Sequence, residues 1–213
     1  MPPESPADSH CAASPQVWHA GAAGFVAWAV QRPAVALAQG RCSKSEVMSK
    51  KLLVVYAARA GSTGEVAGVI SERLCAMGFD AELRPVETVS SLDGYQAVVL
   101  GSAVRYGAWL SEMTKFIKSH RSELAQVPLA IFTVHMGALG DDAASQSTRA
   151  AYTKAINALV TPRDAVFFAG KVDLATLSFF ERIAVKLARS PLGDKRDWDR
   201  IRRWADGLRE KLQ

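Results

Sequence analysis

The sequence predicts a doubly wound α/β fold, in which a five-stranded parallel sheet is covered by helices on both faces. Three features lead there. Apolar runs of strand length, such as Leu52-Leu53-Val54-Val55 and Val98-Val99-Leu100, are continuous instead of alternating, as strands buried on both faces are. Stretches with apolar residues at helical spacing separate those runs. The first run also breaks into small residues, Ala57-Ala58-Arg59-Ala60-Gly61-Ser62-Thr63-Gly64, and restarts as a helix. That grammar suits a phosphate, because unpaired N–H groups and the positive end of the helix dipole meet at such a turn.

Each element follows from its residues. After the first strand, Val66, Val69, Ile70 and Leu74 repeat at helical spacing over Glu65 to Met77, with Ser62 or Thr63 available as a cap and Gly78 as the stop. Asp80 to Val86 fits a short second strand. Tyr95 to Gly101 is the third strand, followed by a loop and a long helix from about Trp109 to Leu124. Pro128 to Val134 supplies the fourth strand and Ala143 to Leu159 a helix. Ala165 to Val172 supplies the fifth strand, and two helical stretches finish the chain. This succession suggests the strand order 2-1-3-4-5, with ligands bound beyond the carboxyl ends of the strands, near the switch point between strands one and three.

Composition narrows the class. The 213 residues suit one core with an extension, and 49% hydrophobic with 22% charged residues is ordinary for a globular protein. Cys11, Cys42 and Cys75 are far apart and form no CxxC pair, which argues against a disulfide framework and a metal site and fits a reducing cytoplasm. From Lys171 onward there are eleven Lys/Arg against seven Asp/Glu, so +4 of the net +5 sits in that tail. An anionic surface or substrate fits this imbalance. The basic residues are not interleaved with aromatics in a nucleic-acid-binding motif, so DNA and RNA are not expected partners.

Residues 1–47 form a different text, with scattered Pro, Ala and Gly and no clean period. They read as a poorly ordered extension, and Met48-Ser49-Lys50-Lys51 reads as a natural start, leaving 48–213 as the folded domain. Ala36-Leu37-Ala38 resembles a signal-cleavage box, but no basic segment precedes it and Gln31-Arg32-Pro33 interrupts the apolar run.

Three segments, Val54 to Thr63, Val98-Val99-Leu100-Gly101-Ser102-Ala103-Val104-Arg105-Tyr106-Gly107 and Phe167-Phe168-Ala169-Gly170, together resemble the flavodoxin superfamily. Within it, the Arg-Tyr-Gly loop after strand three and a long segment after strand five are similar to the menaquinone-dependent protoporphyrinogen IX dehydrogenases. The resemblance spans about residues 50 to 210. It implies a flavodoxin-like fold, noncovalent FMN, a porphyrinogen substrate and a quinone acceptor. It also implies removal of six hydrogens per substrate, in three turnovers of the flavin. Ala57, Ala58 and Ala60 stand where flavodoxins usually carry hydroxyls, so the cradle must rely on backbone amides, Ser62 and Thr63. The loop after strand four lacks the aromatic that many flavodoxins stack on the flavin.

The expected FMN contacts are Ala58, Arg59, Ala60, Gly61, Ser62 and Thr63 for the phosphate, and Ser102, Ala103, Val104, Arg105, Tyr106 and Gly107 for the isoalloxazine. His135, Met136 and Gly137 stand at the end of strand four. Arg105 matches a flavin carbonyl or a substrate propionate, and a solvated arginine is the plain alternative. His135 suits proton transfer or a polar loop contact. No side chain is assigned as an obligatory base, since the flavin can carry the hydride chemistry. Over 177–189, Leu177, Phe179, Phe180, Ile183, Ala184, Leu187 and Ala188 lie mostly on one helical face, with Arg182, Lys186 and Arg189 on another. This is either a core helix or one resting on anionic lipid at the inner face of the cell membrane. Two other functions are compatible with the motifs: a flavodoxin that shuttles electrons between proteins, and an NAD(P)H:quinone reductase.

Overall fold

The computed structural model describes residues 50–59, 61–172 and 193–213. Ala60, residues 1–47 with Met48, and the 177–189 helix lie outside the described residues. In chain order the elements are β1 (Lys51–Ala57), α1 (Ser62–Ala76), β2 (Asp80–Pro85), a 3-10 turn (Val86–Thr88), β3 (Ala97–Arg105) and β4 (Ala108–Trp109). Then come α2 (Ser111–Ser119), α3 (Arg121–Leu124), β5 (Leu129–His135), α4 (Ala143–Asn157), β6 (Asp164–Ala169), β7 (Lys171–Val172), β8 (Gly193–Asp194) and α5 (Trp198–Lys211).

The main sheet runs β2-β1-β3-β5-β6 with every neighbour parallel, and β4 pairs with β3 off that path. Its five long strands therefore take the expected 2-1-3-4-5 order. Strand β1 shows why its apolar run is continuous. Leu52, Val54 and Tyr56 pack with Val66, Ile70 and Leu74 of α1 and Ile201, Ala205 and Leu208 of α5. Leu53, Val55 and Ala57 point the other way, toward Met113, Phe116 and Ile117 of α2 and Ile156 of α4. A strand with period-two geometry and two covered faces has no position left for a polar residue. Each fully buried aliphatic side chain contributes about 1.5–3 kcal/mol.

Four local expectations are corrected. The N-cap of α1 is Gly61, with φ 88° and no side-chain capping bond, so Ser62 and Thr63 are the first helical residues and not its caps. Strand β3 runs on past Gly101 to Arg105, because Ser102 and Ala103 keep pairing with Thr133 and Val134 of β5 although their small side chains break the apolar run. Trp109 is a strand residue opposite Val104, so the helix begins at Ser111, and it breaks again at His120, where φ is −107° and ψ 21°. Strand β6 ends at Ala169. Gly170 turns the chain, and Lys171–Val172 pair antiparallel with Gly193–Asp194 instead of extending the sheet.

Candidate functional site

The loops named from sequence converge because their strands are neighbours in register. Ala57 of β1 lies beside Ser102 of β3, Ala103 of β3 beside Val134 of β5, and His135 of β5 beside Ala169 of β6. All four strands present their carboxyl ends to one edge, on either side of the switch between β1 and β3.

The loop after β1 is the one expected from the sequence to take a phosphate. The first helical hydrogen bond of α1 runs from the Glu65 amide to the Gly61 carbonyl at 3.1 Å. The amides of Ser62, Thr63 and Gly64 precede it, and no side chain caps them. At Gly61 the left-handed φ of 88° suits a residue without a Cβ, and the space a Cβ would fill is open to 4 Å. Uncapped amides at a helix start beside a glycine fit a phosphate group. Thr63 is buried, while Ser62 is partly exposed. Arg59 donates from Nη2 to Glu112 Oε1 of α2 at 2.5 Å, which links this loop to the next one. The Glu112 carboxyl is held below the usual range chiefly by its own backbone N–H, aided by the Ser111 hydroxyl and the Arg59 charge.

The second loop is a tight hairpin. Val104 pairs with Trp109 and Arg105 with Ala108, leaving Tyr106 and Gly107 as the two turn residues at φ 52° and 78°. Positive φ at both positions is the primed turn that matches strand twist. Tyr106 is 86% exposed, which excludes a core role for its ring, and the Arg105 guanidinium carbon sits 5.2 Å from the ring centroid. Ser102 serves the hairpin from inside: its buried hydroxyl donates to the Ala103 carbonyl at 3.0 Å and accepts from the Leu110 amide at 3.1 Å. Trp109 anchors the hairpin, donating its indole N–H to Thr133 Oγ1 at 3.0 Å.

At the end of β5, His135 is buried and its Nδ1 lies 2.5 Å from the Gly137 carbonyl oxygen. A carbonyl only accepts, so Nδ1 carries the proton and the neutral ring keeps a lone pair on Nε2. Burial pushes its pKa below 6.5, and the Arg149 and Arg200 charges push the same way, against the Gly137 bond. Its ring neighbours are Tyr152 and Phe167, with centroids 5.7 and 6.1 Å away. Arg149 fixes the rest of this loop, with Nη1 donating at 2.6 Å to both the Ala138 and Gly140 carbonyls. Ala138 accordingly holds a φ of 53°.

Gly170 closes the arrangement. A Cβ on it would stand 2.9 Å from Val134 Cγ1 and 3.6 Å from both Ser62 Oγ and the His135 carbonyl oxygen. Its own N–H donates to that carbonyl at 2.9 Å. The glycine thus lets the β6 exit pass between the first and fourth loops. Sequence reading missed Glu112, Trp109 and Arg149, whose partners lie in other elements. Among the described residues no group of three or more His, Cys, Asp or Glu could hold a metal ion.

The family model described as the flavodoxin domain matches residues 53–199. A protein of Escherichia coli (strain K12) named protoporphyrinogen IX dehydrogenase [quinone] is 25% identical over 150 residues, covering 69% of this chain and 83% of that protein. A Leishmania major protein of the same name is 26% identical over 174 residues, covering 74% of each. Among solved structures, oxidised Flavodoxin 1 from Bacillus cereus superposes with a TM-score of 0.51 at 12% identity, over 76% of this chain and 99% of that one, a likeness of fold.

Proposed function

We propose that this chain, which belongs to the flavodoxin domain family, is an FMN-dependent oxidoreductase that oxidises protoporphyrinogen IX to protoporphyrin IX with a quinone as acceptor. The observation that carries the reading is the hairpin tip, where an exposed Tyr106 ring lies against the Arg105 guanidinium. A flat aromatic face suits a macrocycle, and a guanidinium matches a propionate bidentately. The names of the Escherichia coli and Leishmania relatives support the same substrate and acceptor.

Bound FMN supplies two-electron acceptance and return. The chain's part is to hold and surround it. The amides at Ser62, Thr63 and Gly64 would take the phosphate, with Ser62 Oγ as a further donor and Arg59 supplying positive charge beside them. Ser102 and Trp109 keep the hairpin in place through buried hydrogen bonds. Arg149 and the His135–Gly137 bond keep the His135, Met136 and Gly137 loop in place. A neutral His135 offers Nε2 as a proton acceptor within the same edge of the sheet.

Among the described residues no helix is long and apolar enough to cross a membrane. The basic 177–189 segment is suited to meet anionic lipid, where a quinone is dissolved, giving a cytoplasmic protein that rests on the membrane surface.

The test is anaerobic. Protein loaded with FMN is given protoporphyrinogen IX, and porphyrin fluorescence is followed with and without a menaquinone analogue. Quinone-dependent acceleration is expected. No acceleration by the quinone overturns the substrate and acceptor, and rapid reduction by NADPH points to a reductase instead.

A further inference from the structure

Arg196 is a charge that the cofactor contacts do not use. It follows β8 and precedes α5, and its side chain is only 5% exposed. Its Nε and Nη2 donate to the two Asp194 carboxylate oxygens at 2.8 and 2.6 Å, and its Nη1 donates to Glu65 Oε2 at 2.6 Å. The guanidinium carbon lies 4.4 Å from the centroid of the Trp198 ring, which closes one face of the guanidinium. The Arg196 amide also donates to Asp194 Oδ1 at 3.1 Å, and the Lys195 amide to the Gly170 carbonyl at 3.1 Å.

Glu65 makes this cluster more than a fastening. It stands in the first turn of α1 and closes that helix's first hydrogen bond, one residue beyond the amides assigned to the phosphate. A carboxylate there stabilises the bare helix N-terminus but repels a phosphate dianion bound at the same end. We propose that Arg196 is a positioning residue for the FMN phosphate: it neutralises Glu65, so that the first turn of α1 presents amides to the phosphate without an opposing charge. The inference rests on the cofactor reading above.

Several features support the role. Asp194 is held at about 2, chiefly by its hydrogen bonds to Arg196, so this partner of the guanidinium stays ionised across the working range of pH. Lys171 contributes to the same effect, so Asp194 is offset by a second positive charge beside the guanidinium. The Glu65 side chain is 45% exposed, whereas that of Arg196, between the two acids, is 5% exposed. Arg196 is therefore the fixed member and Glu65 the one it neutralises. The same bond ties the exit of β8 to the phosphate helix, 131 residues away in sequence.

The test compares FMN with riboflavin, which lacks the phosphate, by quenching of flavin fluorescence in the full chain. Arg196→Gln is expected to weaken FMN by about three- to tenfold, the range for one charge near a helix terminus, and to leave riboflavin unchanged. Glu65→Gln, at a half-exposed site that does not endanger folding, is expected to tighten FMN modestly, and the double variant to restore FMN affinity to near that of the parent. Equal loss of both flavins in Arg196→Gln, or weaker FMN in Glu65→Gln, overturns the assignment and leaves Arg196 as a fastening only. A parent chain that takes up neither flavin overturns the cofactor reading itself.

Discussion

The indole N–H of Trp109 donates to the hydroxyl of Thr133 inside the core, at 3.0 Å. Trp109 ends the hairpin that carries Arg105 and Tyr106, and Thr133 sits in the middle of β5, fully buried. The exposed tip is thereby tied to the buried interior of the sheet. Thr133→Val keeps the shape and orphans the indole. It should lower stability by about 1–3 kcal/mol, the desolvation penalty of an unmet buried donor. Thermal unfolding should show a fall of several degrees, with Thr133→Ser close to the parent.

Gly101 has a packing reason. A Cβ there would lie 1.9 Å from the Phe132 ring, its register partner on β5. Gly101→Ala should cost about 1–3 kcal/mol through overpacking. Because the clash is with one ring, Gly101→Ala combined with Phe132→Leu should lose less than the sum of the two single changes, a coupling measurable by denaturant titration.

The pH dependence of stability should carry the mark of His135. Its folded pKa lies below 6.5, so the folded protein binds fewer protons there than the unfolded chain. This contribution is fully present above pH 6.5 and is lost as the pH falls through the lowered native value. In His135→Asn the amide can still donate to the Gly137 carbonyl, but nothing titrates. Melting temperatures of the parent should drop more steeply than those of the variant as the pH is taken from about 7 to about 5.

Gly61 separates binding from folding. Gly61→Asp bears the strain of φ 88°, about 1–2 kcal/mol, which the buried face of α1 can absorb, while its carboxylate repels the phosphate at the helix N-terminus. The expected product is folded by circular dichroism and colourless. Gly61→Ala bears only the strain of φ 88°, about 1–2 kcal/mol, and should keep FMN with reduced affinity, read by fluorescence.

The strand order, the two covered faces and the turn from β1 into α1 were legible in the sequence, because each is written in contiguous residues. Leu52 to Ala57 shows a strand buried on both sides without reference to any partner, and Gly61-Ser62-Thr63 marks a helix start by small residues alone. The hairpin was half legible. Arg105-Tyr106-Gly107 reads as a loop, but Trp109 reads as the start of a helix, since its pairing with Val104 leaves no periodic trace over two residues.

What the amino-acid sequence determined by itself is the order of elements and the sheet edge at which the candidate loops gather, since hydrophobic period and glycine placement are local properties. Only the tertiary structure decided which side chains serve that edge from a distance. Arg59 meets Glu112, Trp109 meets Thr133 and Arg196 meets Glu65 across 53, 24 and 131 residues. Contacts of that kind arise from strand register and crossover, which bring together residues that no repeat of two or 3.6 relates.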